Sequence, residues 1–377
     1  MENFVYRRIK EKMSENEKDA IPFSTFMELA LYGEGGYYAK EQQKIGKEGD
    51  FYTSSTVHPI FGETLAEYIW KRMEMIESRP KYIVEMGGGT GALSQHVIGH
   101  LVEKKKVVDL RYVLIEASPY HRRLQQEKLA PYYTEGSVEF FSTISEAKQR
   151  IPQLNGVFYS NELPDAFPVH MVCFQGGDWK EVHVTLDENR EFTEKLLPVP
   201  PEISTYCKER NIPQQEGYRT EINLNSIRWM EEVSSWMEEG TCITIDYGYT
   251  QEEYYAPWRN RGTLMCYRNH QAQENPYLMV GEQDITAHIN FTDLMETGER
   301  NGLMPLLFLN QGEFLIQSGI LEELQNHAAR DPFRNETARR NRAIRQLIMD
   351  GEMGGAFKVL VQEVPVQVDS TFFRYVL

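Results

Sequence analysis

From Tyr82 onward the chain switches repeatedly between short β-rich apolar runs and stretches whose apolar residues recur at helical spacing. "KYIVEM", "RYVLIEAS", "VEFFST" and "NGVFYSNEL" read as strands. Between them lie a helix from about Ala92 to Lys105, a second through "PYHRRLQQEKLA" and a short third. Alternation at this spacing predicts right-handed β-α-β crossovers and a parallel sheet, with ligands at the carboxyl ends of its strands. Farther on, "NSIRWMEEVSSWMEEG" places Ile227, Met230, Val233 and Met237 on one helical face suited to core packing. It leads into the buried strand "GTCITIDYGYT", and "FKVLVQ" and "FFRYVL" predict closing antiparallel strands.

Two regions fall outside this rhythm. The first eighty residues include "IPFSTFMELALYGEGGYYAK" and "IGKEGDFYTSS", rich in Gly, Tyr and Phe, and are expected to cap a site. The stretch from about Thr250 to Gln283 is too long for an idle connection and is expected to build a substrate lobe. The resulting division is an N-terminal helical cap over residues 1–80, a nucleotide-binding core over 81–249, an inserted substrate lobe over 250–310, and a C-terminal helix with closing strands over 311–377. No internal repeat interrupts it.

Composition narrows the class. The 377 residues are 41% hydrophobic and 25% charged, as in ordinary globular proteins and unlike disordered ones. A net charge of −16 repels phosphate backbones and anionic headgroups and attracts cationic partners, so neither nucleic acid nor membrane is expected as a partner. The charged N-terminus lacks the apolar core of a signal peptide, and no run approaches the roughly 20 apolar residues of a membrane span, so a cytoplasmic protein is expected. Cys173, Cys207, Cys242 and Cys266 are widely spaced, without the pairing of a zinc knuckle or a disulfide framework.

Candidate chemistry begins at "YIVEMGGGTGALS". Gly87, Gly89 and Ala92 satisfy the dinucleotide pattern, in which glycines permit a tight turn and close approach of a pyrophosphate. The same letters read acid-x-G-x-G-x-G through Glu85, Gly87, Gly89 and Gly91, common in S-adenosylmethionine (SAM) methyltransferases. SAM carries a sulfonium in place of a pyrophosphate, so Glu85 can hold positive charge and order the turn. Glu116, ending the second strand, suits the ribose hydroxyls of either nucleotide, and its bland alternative is an acid at the start of a helix capped by Ser118. Ser142, after the third strand, would face an adenine. At the end of the fourth strand, "SNELPDAFPV" delivers Asn161, Glu162 and Asp165 to the reactive edge.

No metal site is expected. His96 and His100 lie four apart on a helix, but Val97 stands where a zinc protease needs its glutamate. The arginines of "ARDPFRNETARRNRAIRQ" read as a solvated helix face.

In order along nearly the whole chain, "PFSTFMELALYGEGGYYAK", "GDFYTSS", "FGETLAEYIW", "VEMGGGTGALS", "IEASPYHRRLQQEKL", "SNELPDAFPV", "IDYGY", "GTLMCYRNH", "DITAHINF" and "QGEFLIQSGI" resemble the MidA family of SAM-dependent methyltransferases. The resemblance implies an α/β fold: a Rossmann-like class I methyltransferase core with a mostly parallel sheet, an N-terminal cap and an inserted lobe. It implies SAM as cofactor and a protein arginine as acceptor, the latter from a mitochondrial relative that serves respiratory complex I assembly. By the same resemblance Gly87, Gly88, Gly89 and Gly91 form the cofactor loop and Glu116 the ribose acid. Gly49, Asp50 and Phe51 are expected to fold over the cofactor, and Asp284, Thr286 and His288 to furnish the inserted lobe. The chain departs from many relatives at Gly88, where they carry proline, and at Ser55 and Thr56, where they carry a proline-acid pair.

The expected reaction is methyl transfer to an arginine nitrogen. A guanidinium is protonated and planar, so carboxylates must bind and orient it, and Glu162 and Asp165 are the candidates. His288 could accept the departing proton, against a purely structural role. Phe51, Tyr52 and Tyr247 could line a cationic site through their ring faces. Competing functions are a small-molecule O- or N-methyltransferase, an NAD(P)-dependent oxidoreductase that would leave "NELPDA" without a purpose, and a non-catalytic SAM-binding assembly factor. A homodimer is left open.

Overall fold

A computed structural model describes residues 4–41, 58–107, 109–133, 137–326, 335–350 and 353–365 of the protein. Seven strands form the backbone of its central sheet: β1 (Tyr82–Met86), β2 (Tyr112–Ile115), β3 (Val138–Phe141), β4 (Leu154–Asn161), β5 (Met237–Tyr249), β6 (Met304–Asn310) and β7 (Phe357–Glu363). Their order is β3-β2-β1-β4-β5-β7-β6, with the short strand Ile289–Asn290 added against β5. All pairings from β3 to β5 are parallel, whereas β7 runs antiparallel to both β5 and β6. The expected mostly parallel, Rossmann-like sheet is therefore present, closed at one side by an antiparallel strand. The order reverses between β1 and β4, and there a crevice opens at the strand ends.

The strands are buried on both faces, which is why they read as continuous apolar runs. Ile83, Val157, Tyr159, Ile243 and Ile245 pack beneath the helices Ile60–Met75 and Ala92–Glu103. Val84, Phe158, Cys242 and Leu360 face the other way, toward Leu224–Ser234 and Phe291–Arg300. Of the helical set expected to face the core, Met230 and Val233 are buried, and Met237 opens β5.

A second lobe departs from the expected boundaries. Residues 170–222, expected inside the nucleotide-binding core, instead supply the strands His170–Gln175, Asp178–Leu186, Phe192–Pro198 and Arg219–Ile222 of a five-stranded sheet completed by Ile21–Pro22. Its pairings are antiparallel, with a two-residue Gly176-Gly177 turn at φ 64° and 79°, the geometry that matches the twist of a tight hairpin. Val5, Phe23, Phe26, Met171, Val182, Val184, Cys266 and Ile285 share one apolar cluster, so the N-terminal helices, this sheet and the later insertion fold together. The helix Ile60–Met75, expected in the cap, packs on the central sheet. Residues 289–310, expected in the inserted lobe, likewise complete the core through Ile289, Phe291, Leu294 and Leu303. The sequence "FFRYVL" and the segment holding Asp50, Phe51 and Tyr52 lie outside the described residues.

Candidate active site

The carboxyl ends of β1 through β5 and the facing second lobe enclose a cavity of about 670 Å³. Its wall includes Glu85, Gly87, Gly88, Gly89, Glu116, Ser142, Asn161, Glu162, Asp165 and His288, so these residues, distant in sequence, share one space. The parallel sheet explains this convergence, because every βα turn leaves the same edge.

The glycine turn is shaped by backbone geometry. Gly87 and Gly91 have φ of 76° and 75°, where a side chain is strained. A Cβ on Gly87 would stand 2.8 Å from Leu163 Cδ1, and one on Gly91 would stand 3.1 Å from Gln125 Cγ. Beneath the turn, the buried Glu85 carboxylate accepts hydrogen bonds from the hydroxyls of Tyr112 and Tyr159, each at 2.8 Å, and from Ser94 at the start of the next helix. Burial raises its pKa while the three hydroxyls oppose the rise, so Glu85 ties strand, turn and helix together. Gln125, fully buried, donates to Gly89 O at 2.9 Å and holds the turn from the adjacent helix.

Glu116 follows β2. One carboxylate oxygen accepts from Gly89 N at 3.2 Å and the other from Ser118 N at 2.9 Å. Burial nonetheless pushes its pKa up to about 7. Of the two readings considered from sequence, the helix start is present, for Ser118 caps the helix Pro119–Leu129 by accepting from His121 N. Ser142 lies past β3 on the cavity wall.

Across the sheet reversal, Glu162 adopts φ 53°, a left-handed conformation uncommon for this residue, immediately after β4. It accepts a hydrogen bond from Asn161 Nδ2 at 2.9 Å, and the Asn161 Oδ1 is buried without a protein partner. The turn is fastened to β5: Glu162 N donates to Ile245 O at 2.9 Å, and Asp165 N donates to Asp246 Oδ2 at 3.1 Å. Asp165 and Asp246 are buried beside one another, and desolvation first, then their negative neighbours, push both carboxyl groups well above the usual range. Asp284 is buried nearby and contributes to the rise at Asp165.

Tyrosines close over these acids. Tyr32 and Tyr38 stack with ring centres 5.4 Å apart. The Tyr38 hydroxyl donates to Asp284 Oδ1 at 2.9 Å and the Tyr32 hydroxyl to Ala166 O at 2.8 Å. Tyr247 and Tyr267 complete the aromatic wall. His288 lies parallel to Tyr247, with ring centres 5.9 Å apart, and burial lowers its pKa to about 4, leaving a neutral imidazole near pH 7. Among the described residues no group of three or more His, Cys, Asp or Glu side chains could hold a metal ion.

Asp246, Tyr32, Tyr38 and Tyr267 were not among the candidates read from sequence. Asp246 had a signal: it stands at the end of the buried run "TCITID", as Glu116 does after "YVLI". The tyrosines had none beyond the aromatic richness of their segments, because the lobe that aims them is assembled from three distant stretches.

Strand order, the glycine turn after the first core strand and the cavity at the strand ends define a class I SAM-dependent methyltransferase. The cradle fits such a cofactor: a Cβ at Gly87, Gly88 or Gly91 would meet a neighbouring atom at 2.8, 3.2 or 3.1 Å, and a buried acid stands one strand away. The chain belongs to the MidA-like family of S-adenosyl-L-methionine-dependent methyltransferases, whose match spans residues 64–309. A Burkholderia thailandensis protein crystallised with S-adenosyl-homocysteine is 30% identical and has a TM-score of 0.85, over 95% of this chain and 91% of that one. The mitochondrial protein arginine methyltransferase NDUFAF7 homolog of Drosophila melanogaster is 26% identical over 372 residues, covering 90% of this chain and 80% of the relative. Its Caenorhabditis elegans counterpart is 25% identical over 329 residues, covering 80% and 72%. The expectation of a cytoplasmic protein is overturned by these curated relatives, which are mitochondrial.

Proposed function

We propose that this methyltransferase transfers the methyl group of SAM to an arginine side chain of a protein. The observation that carries the reading is the cluster of Glu162, Asp165, Asp246 and Asp284 under a wall of tyrosines, beside the glycine turn. Such a slot suits a planar cation: carboxylates accept paired N–H bonds from a guanidinium, and ring faces attract its charge. The relatives named as protein arginine methyltransferases support the same acceptor.

In this reading Glu85, Gly87, Gly88, Gly89, Gly91, Glu116, Ser142 and Asn161 hold the cofactor, which supplies an electrophilic methyl group. The second lobe holds the acceptor. Glu162 and Asp165 orient the guanidinium so that one nitrogen faces the methyl carbon, while burial excludes water. The new N–C bond forms as the S–C bond breaks, and the nitrogen sheds one proton. His288, neutral at pH 7, or an ionised carboxylate of the cluster can take that proton.

The test is incubation with labelled SAM and a panel of candidate proteins, followed by hydrolysis and analysis for methylarginine. Wild type should label arginine, and Glu162→Ala should lose at least about tenfold in rate, the equivalent of about 1.4 kcal/mol, while still binding S-adenosyl-homocysteine. Equal labelling by both proteins would remove Glu162 from the acceptor site, and label on another residue type would reject arginine.

A further inference from the structure

A carboxylate outside the cavity is as deeply buried as any within it. Glu221, on the lobe strand Arg219–Ile222, is fully buried. It accepts hydrogen bonds from Thr263 N at 2.9 Å, Thr263 Oγ1 at 3.2 Å and Leu264 N at 3.2 Å. The loop is built for this approach: Gly262 has φ 76°, and a Cβ there would lie 2.1 Å from Glu221 Oε1. Burying a carboxylate costs several kcal/mol unless hydrogen bonds compensate, so a cheaper anchor would be expected if the loop merely needed fastening.

The loop passes the constraint onward. A hydroxyl has one hydrogen to donate and lone pairs to accept with. With its hydrogen directed at Glu221, Thr263 Oγ1 accepts the backbone N–H of His288 at 3.0 Å. The same loop carries Arg259, whose guanidinium lies 4.0 Å from the centre of the Tyr249 ring. Tyr249 in turn packs against His288 with ring centres 5.3 Å apart, beside the Tyr247 contact at 5.9 Å. The His288 Nδ1 is buried without a partner. Among the described residues no hydrogen bond holds the imidazole ring, so backbone and ring stacking fix its orientation.

We propose that Glu221 is a positioning residue for His288, acting through Thr263 to hold the imidazole against the acceptor site as the group that takes the departing proton. The inference rests on the methyl-transfer reading only for what His288 does, not for how it is held. The charged group facing the ring is Arg259, and the titratable neighbours are Tyr247 and Tyr249 of β5.

The experiment is NMR of the full chain with labelled histidine, following the His288 ring through a pH titration in wild type, Glu221→Gln, Thr263→Val and Thr263→Ser. Binding of S-adenosyl-homocysteine reports that each variant is folded. In wild type the ring should titrate far below free imidazole and show one tautomer. In Glu221→Gln and Thr263→Val the midpoint should rise by at least about one pH unit and the tautomers should average, whereas Thr263→Ser should keep the wild-type signature. With the arginine acceptor from the labelling assay, Thr263→Val should lower kcat at least about tenfold while leaving the acceptor KM within about twofold. An unchanged His288 spectrum in folded Glu221→Gln and Thr263→Val would overturn the proposal. So would a changed spectrum with unaltered kcat. Should Glu221→Gln fail to fold, the valine and serine pair decides alone. If wild type labels no arginine, the proposed function fails, while the ring signature still decides how His288 is held.

Discussion

Replacing Glu116 with glutamine should remove part of the pH dependence of stability. In the fold its carboxyl pKa stands at about 7 against an ordinary 4.5, chiefly because it is buried, with hydrogen bonds from Ser118 and Gly89 offsetting only part of that cost. The folded state thus holds the proton more tightly than the unfolded chain. The associated stability is fully present below about pH 4.5 and is lost as pH rises through about 7. At about 1.36 kcal/mol per pKa unit the full loss is about 3 kcal/mol, most of it developing between about pH 5 and pH 8. Glutamine never ionises, so Glu116→Gln escapes this loss. It sets one amide donor against a backbone N–H instead, a constant penalty of about 1–3 kcal/mol at every pH. Urea unfolding of both proteins across that range isolates the effect as a change in their stability difference, since the other buried acids are common to both. A difference that stays constant from pH 5 to pH 8 would refute the burial argument. Repeating the series with excess S-adenosyl-homocysteine asks a separate question: the ligand should stabilise wild type by about 2.7 kcal/mol at a hundred times its Kd, and Glu116→Gln by distinctly less if the acid binds the ribose.

Two further outcomes follow from the cavity wall. Gly87→Val forces a branched side chain into φ 76° and toward Leu163, so S-adenosyl-homocysteine binding by calorimetry should fall at least about a hundredfold, and undiminished binding would contradict the cradle. Tyr38→Phe removes the hydroxyl donated to Asp284, which should raise the acceptor KM about five- to thirtyfold in the methylarginine assay without changing cofactor affinity, a cost of about 1–2 kcal/mol.

Much of the core was legible because its strands are buried on both faces and its helices show regular spacing. "YIVEM", "YVLI" and "VFYSN" needed no partner to declare themselves, and the glycines with Glu116 marked the sheet edge where the cavity lies. The antiparallel lobe was missed for a different reason. "CFQGGDWKEVHVTL" does carry a hairpin signal in its Gly-Gly turn, but the segment sits between two strands of a parallel sheet and was absorbed into that rhythm. Its packing partners lie at Phe23, Phe26, Cys266 and Ile285, too far away in sequence for local periodicity to join them.

The sequence by itself determined the alternating α/β core, the glycine turn, the strand-end acids and, through ordered motifs, the methyltransferase family. Those properties are local, written in spacing and in residue types that only a tight turn or a buried strand end requires. Tertiary structure alone decided which acids meet. Asp246 and Asp165 face one another because β4 and β5 are adjacent and parallel, Asp284 joins them because the lobe folds back over the sheet, and burial then raises the pKa of the pair. Charge proximity and desolvation belong to the assembled cavity, and no single segment contains them.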